Sequence, residues 1–368
     1  MRILRVESRQ VRVPLTRPYA IAGFSTDAVD IFYVRLVTAG GELGIGAATP
    51  AAEITGETVE SCGAALTSIA PGFLEGRDAR HLGELTAAAG AALSETPAAR
   101  AAIDMALHDL CARQLDVPLV ELLGQRRDPL PTSVTIGILP VEETLAEAEE
   151  HVEHGFRCLK IKIGRDADED LERLRKLRER CGGEIAIRVD ANEGYALADA
   201  RRILDAVSEL DLELVEQPLP AGAEGELREL PPALRARVAL DESVHDEGDA
   251  LRLTRDPLPC GTLVLKLMKS GGVTSALGMA RIADLAGVGL MWGCMDESVV
   301  SIAAALHAAY ASPATRYIDL DGSFDLSADQ GSGGFALREG RLELLDEPGH
   351  SSGERVLANE SRRMSPGE

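Results

Sequence analysis

The chain has 368 residues, more than an ordinary domain holds, and this indicates two domains or one large barrel with an attached domain. Its 38 basic and 60 acidic residues give a formal net charge of −22, which argues against nucleic acids and anionic membranes as partners. The N-terminus lacks the apolar core of a signal peptide, no apolar run reaches membrane-spanning length, and the six cysteines form no CxxC pair. We therefore expect a cytoplasmic protein with reduced thiols.

Residues 1–127 are predicted to form an α+β unit. Alternating apolar residues indicate antiparallel strands at 2–13 and 28–38, and Gly40-Gly41 is typical of a hairpin turn. The pattern then becomes helical as far as about residue 123, with an alanine-rich helix expected at 97–114.

From about residue 131, short β-branched runs alternate with amphipathic helical stretches. Such alternation implies a parallel sheet with crossover helices, and eight units close into a (β/α)8 barrel, which we assign to residues 128–323. Strands are expected at 133–138, 158–163, 185–189, 212–215, 237–240, 262–267, 288–292 and 315–320. Residues 324–368 return to short strands and are expected to pack back on residues 1–127. The predicted fold class is thus α/β, a (β/α)8-type barrel with an α+β capping domain formed by the N-terminal region and the C-terminal segment.

Two lysines one residue apart, Lys160 and Lys162, lie on the second barrel strand and point to the same face. Burial and like-charge proximity would make one of the two amines easier to deprotonate. A lysine tuned in this way can act as a base. A half-exposed strand with a solvated lysine edge would explain the pair equally well.

Charged residues recur after Lys162 at intervals of 25 to 28 residues, at Asp190, Glu216, Asp241 and Lys266. One interval corresponds to one βα unit, so these residues should meet at the C-terminal rim, where barrel active sites lie. Three carboxylates repel one another unless a cation neutralises them, and hard oxygen ligands suit Mg²⁺. The alternative is that each acid caps the helix after its strand.

Lys162 and Lys266 would then face each other across the metal. One lysine can remove the α-proton of a carboxylate held by Mg²⁺, and the metal stabilises the resulting enediolate. The opposite lysine delivers a proton to the other face. This 1,1-proton transfer inverts the α-carbon.

The chain resembles the enolase superfamily, and within it the muconate-lactonising subgroup, over essentially its whole length. The resemblance rests on the lysine pair, the three acids and the segment Lys266-x-x-Lys269-x-Gly271-Gly272. It implies one Mg²⁺ per subunit, held by the three acids, with Lys162 and Lys266 as the catalytic bases. Lys160 is then the neighbour that contacts the substrate carboxylate.

Three further features resemble dipeptide epimerases. Asp319-x-Asp321 matches the motif that holds the α-ammonium group of the substrate in those enzymes, and two carboxylates on one face of a strand end suit an ammonium group. The alternative is a polar strand end near a turn. Met295 and Asp296 in the loop after strand seven, and Thr55 in the cap, also resemble substrate-contacting loops of that family.

One departure concerns the substrate side chain. Epimerases acting on Ala-Glu carry an arginine in the first capping loop, where this chain has Phe24. Phe24 offers an apolar contact or a cation–π face. Glu53 and Asp296 would favour a basic or polar side chain unless they are solvated loop acids. We therefore expect hydrophobic or basic/polar dipeptides rather than Ala-Glu.

The resemblance implies an isomerase, a Mg²⁺-dependent dipeptide epimerase acting at the α-carbon of the C-terminal residue. Alternatives on the same fold are N-acylamino acid racemase, o-succinylbenzoate synthase and cycloisomerase. A non-catalytic binding protein on the same barrel is an alternative of a different class. Assembly into a homo-oligomer is expected by analogy with such barrels.

Overall fold

The computed structural model describes residues 1–21, 24–124 and 128–351, apart from the side chains of residues 18–21, 24 and 25. An antiparallel sheet opens the chain and has the order β1-β2-β3. Its strands are β1 Ile3–Ile21, β2 Phe24–Thr38 and β3 Leu43–Ala48. The predicted hairpin turn is confirmed, since Gly41 has φ +90° and its N–H donates to the Thr38 carbonyl at 3.1 Å. The first two strands are longer than predicted because their pairing resumes after a register shift beyond Pro14.

A group of helices packs on this sheet. They are α1 Ala52–Thr55, α2 Val59–Ala64, a π-helix Ala65–Ile69, α3 Ala70–Leu74, α4 Leu82–Ala92, α5 Pro97–Gln114 and α6 Leu119–Leu122. Helix α5 has the predicted bounds and is buried along most of its length. A Cβ atom at Gly44 or Gly46 of β3 would lie 2.1 or 2.0 Å from an α5 carbonyl oxygen. Glycine at these two positions therefore allows α5 to lie directly against the sheet.

The predicted barrel is confirmed as an eight-stranded parallel sheet, in the order β12 to β5, joined by helices. A short strand, β4 Leu130–Pro131, precedes it. The barrel strands are β5 Val134–Ile136, β6 Cys158–Lys162, β7 Ala186–Asp190, β8 Leu212–Glu216, β9 Val238–Leu240, β10 Thr262–Leu265, β11 Gly289–Gly293 and β12 Thr315–Asp319. The helices are α7 Val141–Glu153, α8 Ala167–Cys181, α9 Leu197–Ala206, α10 Glu224–Leu227, α11 Pro232–Arg235, α12 Glu247–Leu253, α13 Leu267–Ser270, α14 Val273–Ala286 and α15 Val299–Ala311. A bridge between Thr132 and Ile318 joins the first and last strands.

The barrel interior has two unlike halves. On β8 to β11, the side chains below the rim are apolar and pack together as one buried cluster of Leu214, Ala239, Val264 and Met291. We call these strands the apolar half. Tyr317 of β12 packs against this cluster. On β5, β6 and β7 the corresponding positions are polar, and the buried Arg188 donates to Glu213 and to Ser133. We call these strands the polar half.

The segment after β12 returns to residues that precede the barrel. Its strands β13 Phe335–Arg338 and β14 Arg341–Leu344 form an antiparallel sheet with β4. Ser327 N–H donates to the Pro14 carbonyl at 3.0 Å, and Leu119 N–H donates to the Gly349 carbonyl at 2.7 Å. In the described part of the chain, no helix combines the length and apolar composition needed to cross a bilayer.

Candidate active site

Strand register brings the predicted rim residues together. Lys162 pairs with Asp190 on the next strand, and Asp190 pairs with Glu216 on the one after. Asp241 comes directly after β9, and Lys266 directly after β10, where it is the N-cap residue of α13 rather than part of the strand. Five side chains from five consecutive strands thus reach the C-terminal rim of the barrel.

Both lysines of β6 are buried, with 3% of Lys160 and 7% of Lys162 exposed. The alternative of a solvated lysine edge is therefore wrong. The Lys160 ammonium lies 3.0 Å from Asp190, 2.8 Å from Glu216 and 2.7 Å from Asp319. Lys162 Nζ donates to Asp190 Oδ2 at 2.7 Å and to Asn192 Oδ1 at 2.9 Å. Each lysine is thereby fixed by side chains of neighbouring strands.

Lys266 is held from the opposite side of the rim. Its ammonium lies 2.7 Å from Asp241 Oδ2, and Lys269 donates to the other carboxylate oxygen of Asp241. Arg100 of α5 donates to the Ser270 and Gly271 carbonyls at the end of α13. Gly271 has φ +78°, and a Cβ atom there would lie 1.7 Å from Arg100 Nε. The glycine therefore lets helix α5 of the N-terminal unit hold the segment that carries Lys266.

The protonation of this site follows from burial and from the number of carboxylates. Burial alone would lower the pKa of Lys160, but Asp190, Asp319 and Glu216 hold that pKa well above its usual value. Burial would also lower the pKa of Lys266, but the nearby Asp241 carboxylate raises it above its usual value. Lys160 is therefore not the easily deprotonated amine of the Lys160/Lys162 pair, because the carboxylates around it outweigh lysine–lysine repulsion; for Lys162 the expectation stays a prediction.

The acids respond in unequal ways. Burial and the charge of Asp190 raise the pKa of Glu216. Burial would also raise the pKa values of Asp190 and Asp241, but the lysines beside them lower both. Of the three acids, Glu216 is therefore the one whose negative charge is least compensated by neighbouring lysines.

Glu216 also provides the test of whether a metal ion fits. Both of its carboxylate oxygens are buried and receive no hydrogen bond, although the Lys160 ammonium is within ion-pair distance of one of them. A buried, unsatisfied carboxylate is costly unless a cation coordinates it. Among the described residues no acidic, histidine and cysteine side chains are preassembled as a metal cage, since each of these carboxylates turns to a lysine. The donor set still fits Mg²⁺, because hard carboxylate oxygens converge at a site short of positive charge.

Five of the seven predicted substrate-contacting residues line one cavity of about 140 Å³, which Lys162 and Lys266 line as well; they are Lys160, Met295, Asp296, Asp319 and Asp321. Asp319 and Asp321 both line it, but their surroundings differ. Asp319 is occupied, since Lys160 and the Ser133 hydroxyl each donate to one of its oxygens, at 2.7 and 2.6 Å. Asp321 Oδ2 accepts from the Thr135 N–H at 2.7 Å, and burial and the charge of Asp319 raise its pKa. Asp321 is therefore the better placed of the two to accept an ammonium group.

The remaining substrate residues are placed less uniformly. Met295 and Asp296 line the cavity, and burial together with Asp321 raises the pKa of Asp296 to about 7. Ile54 lines the cavity in place of Thr55, whose hydroxyl donates to the Ala51 carbonyl at 3.1 Å. Phe24 begins β2, but its side chain lies outside the described part of the structure.

Several residues that line or support the cavity were not among the predicted site residues. Asn192 Nδ2 donates to Glu242 Oε1 at 3.1 Å, and both residues line the cavity. Each stands within two residues of a predicted ligand, which is a signal that the sequence contains. Ser133 and Thr135 could have been found as the inward-facing polar residues of the first barrel strand. Arg188 carries the same signal, since it stands two residues before Asp190 on the same face of β7, but its partners Ser133 and Ile318 come from distant parts of the chain.

Comparison with known families agrees with this combination of barrel, capping sheet and charged rim. Residues 3–124 match the mandelate racemase / muconate lactonizing enzyme N-terminal domain, and residues 143–352 match the enolase C-terminal domain-like family. Together these matches cover most of the chain. The protein therefore belongs to the enolase superfamily, as its motifs predict.

Its relatives narrow the class to dipeptide epimerases. The chain is 53% identical to an L-Lys-D/L-Arg epimerase of Methylococcus capsulatus over 95% of this chain and 98% of that protein. The crystal structure of the M. capsulatus dipeptide epimerase with Mg and the dipeptide L-Arg-D-Lys superposes with a TM-score of 0.94, over 95% of this chain and 99% of that one. The L-Ala-D/L-Glu epimerase of Bacillus subtilis is 31% identical over 95% of this chain and 96% of that protein.

Proposed function

We propose that this protein is an isomerase that epimerises a dipeptide at the α-carbon of its C-terminal residue. The observation that carries the proposal is the strand register that places Lys162, Asp190 and Glu216 side by side, with Lys266 on the same cavity. Moving a proton from one face of a carbon atom to the other requires two amines, one on each face, beside the place where the substrate carboxylate is bound. The similarity to dipeptide epimerases over nearly the whole chain supports the same reaction.

In this proposal each residue has one task. Lys162 removes or delivers the α-proton on one face, and Lys266 does so on the other. Lys160, held by Asp319, contacts the substrate carboxylate. Asp321, with Asp319 behind it, receives the α-ammonium group of the N-terminal residue.

Asp190, Glu216 and Asp241 would hold one Mg²⁺ per subunit. When bound, the ion supplies positive charge against the negative charge that the substrate carboxylate gains as the α-proton leaves. The buried, unsatisfied oxygens of Glu216 support this assignment. The structures of the M. capsulatus relative with Mg support it as well.

The favoured substrates are dipeptides of basic residues. Two relatives at 53% and 46% identity are L-Lys-D/L-Arg epimerases. The cavity carries Asp296 and Asp325 in addition to the ammonium-binding pair, so its wall is acidic. This narrows the sequence-based expectation of hydrophobic or basic/polar dipeptides to basic ones.

Isotope exchange tests the reaction. The enzyme with Mg²⁺ is incubated in D₂O with L-Lys-L-Arg, L-Ala-L-Glu and L-Leu-L-Tyr, and α-deuterium is followed by NMR and mass spectrometry. We expect uptake at the C-terminal α-carbon only, fastest for L-Lys-L-Arg. The absence of deuterium from every dipeptide would overturn the proposal and would favour a non-catalytic binding protein.

The ammonium group separates this function from that of racemases acting on N-acylated amino acids. An N-acylated α-nitrogen is a neutral amide without a positive charge and needs no carboxylate partner at Asp321. Asp321→Asn should therefore reduce turnover of L-Lys-L-Arg. Unchanged turnover in that variant, or faster turnover of an N-acyl amino acid by the wild type, would favour the alternative reaction.

The setting of the enzyme completes the proposal. We propose a cytoplasmic enzyme, a location with which its six unbonded cysteines agree. Residues 1–127 and 324–368 would act as one capping domain over the barrel of residues 128–323. Assembly into a homo-oligomer and the lack of nucleic-acid or membrane partners remain predictions, which light scattering and binding assays would test.

A further inference from the structure

A second cavity adjoins the site cavity and takes no part in the proton transfer proposed above. It measures about 530 Å³ and lies between β5, helix α7 and the segment after β12. Thr135, Asp321 and Asp325 line both cavities, and we call these three residues the shared wall. The second cavity has the size of a small-molecule pocket and is lined by Asp321, the residue assigned to the α-ammonium group.

The lining of the second cavity combines an apolar surface with carboxylates. The apolar surface consists of Val134, Ile138, Leu139, Phe156, Phe324 and Leu337. The carboxylates are Glu147 on α7 together with Asp321 and Asp325 of the shared wall. Such a lining suits a side chain with a methylene stem and a cationic head, as in lysine or arginine.

Basic residues also reach this cavity, but their partners limit their effect. Arg17 Nη2 donates to Glu150 Oε1 at 2.6 Å, and Glu150 is not one of the lining residues. His151 Nε2 lies 3.7 Å from Glu147 Oε1 and offsets that carboxylate in part.

The carboxylates of the shared wall accept hydrogen bonds from neutral donors. Asp325 Oδ1 accepts from the Thr16 hydroxyl at 3.5 Å, and Asp321 accepts from a backbone N–H. The charges of His151 and Arg17 also act on Asp325, but neither carboxylate forms an ion pair among the described residues, so both can accept a cationic side chain.

The geometry of a dipeptide connects the two cavities. In its first residue, the α-ammonium group and the side chain leave the same carbon atom. Asp321 lines both cavities. With the ammonium group bound at Asp321, the side chain on the same carbon atom can therefore extend into the second cavity. We infer that the second cavity is the subsite for the N-terminal side chain, and that Glu147 and Asp325 make it selective for a cationic one. This inference rests on the proposed epimerisation.

A ratio of rates tests the inference. The preference of the enzyme is measured as kcat/KM for L-Lys-L-Arg divided by kcat/KM for L-Ala-L-Arg. Glu147→Gln and Asp325→Asn remove a charge at nearly constant shape. Each should lower this ratio about 10-fold, because a hydrogen bond to a charged group is lost for the lysine side chain alone. Glu147→Lys should shift the preference from L-Lys-L-Arg towards L-Glu-L-Arg.

Glu149→Gln is the matched control, since Glu149 lies on the same helix but pairs with Arg180 at 2.7 Å on the exposed surface. It should leave the ratio unchanged. An unchanged ratio in both Glu147→Gln and Asp325→Asn would overturn this inference while epimerisation itself stood. A wild-type enzyme that exchanged no dipeptide would overturn both.

Discussion

The polar and apolar halves of the barrel interior hold their lysines in different ways. In the polar half, Asp190 of the adjacent strand contacts both Lys160 and Lys162, and Lys160 lies beside the buried Arg188. In the apolar half, Lys266 stands above a layer that contains Val264, and the helix after it is held by Arg100 of α5. The contacts described for Lys162 come from barrel residues, whereas the segment that carries Lys266 is also held by the N-terminal unit.

The largest expected effect tests whether the two lysines serve opposite faces. Lys162→Ala and Lys266→Ala should each reduce epimerisation by at least ~10³-fold, since general acid–base catalysis contributes about 10²–10⁴-fold and no second group replaces the missing one. In D₂O each variant should retain α-proton exchange with one epimer only, and the two variants should retain opposite epimers. Measurement uses NMR on both purified epimers. Equal exchange of both epimers by either variant contradicts the two-base geometry.

The two halves should also differ in their tolerance of substitution. Arg188→Met leaves the Glu213 carboxylate and the Ile318 carbonyl without this donor and should cost about 3–5 kcal/mol of unfolding free energy. Met291→Leu, the matched change in the apolar half, keeps the volume and should cost less than ~1.5 kcal/mol. Urea unfolding of both variants measures the difference. Equal losses would show that the polar network adds nothing beyond packing.

A smaller effect should separate the two bases through the N-terminal unit. Arg100→Ala leaves the Ser270 and Gly271 carbonyls without their donor and should cost about 1–3 kcal/mol of stability. It should slow exchange of the epimer that depends on Lys266 more than exchange of the other. Arg113→Ala serves as control, because Arg113 is on the same helix but pairs with Asp109. Equal slowing of both epimers would mean that the contact is merely structural.

The smallest effect concerns pH. Burial would lower the pKa of His108, but the Asp104 carboxylate, 3.3 Å away, holds that pKa above its usual value. A raised pKa in the folded state means that the pair stabilises the fold most below the usual histidine pKa. This contribution is lost as pH rises through the raised value. The wild type should therefore lose more unfolding free energy than His108→Gln between about pH 6 and pH 9. His350, whose pKa burial lowers, is present in both proteins and cancels in the comparison.

The sequence was sufficient to predict the barrel and its charged rim, because both depend on local periodicity. Alternation identifies strands, and the regular spacing of Asp190, Glu216 and Asp241 places them on one edge of a parallel sheet. The direction of the Lys160 pKa shift could not be predicted from the sequence. Asp319 is 159 residues from Lys160 along the chain, yet it lies 2.7 Å from the Lys160 ammonium.

The wall of the site was also beyond sequence reasoning in part. Thr55 was predicted to contact substrate, but its hydroxyl bonds within its own turn and the neighbouring Ile54 faces the cavity. The direction of a side chain in a four-residue helix depends on tertiary packing rather than on local pattern. Glu147 gave no signal either, because it occupies an ordinary position on an amphipathic helix.

The contact of His350 in the C-terminal segment with the N-terminal unit has a consequence for biosynthesis. The imidazole Nε2 of His350 is hydrogen-bonded to the Ile45 carbonyl, and the backbone N–H of His350 donates to Asp109 Oδ1, both at 2.9 Å. The ribosome makes Ile45 and Asp109 before the first barrel strand and His350 after the last. Because a chain is synthesised from its N-terminus, the sheet of β1, β2 and β3 cannot make this contact until the whole barrel has been synthesised. This contact should therefore form only near the end of translation, after the barrel strands have been made.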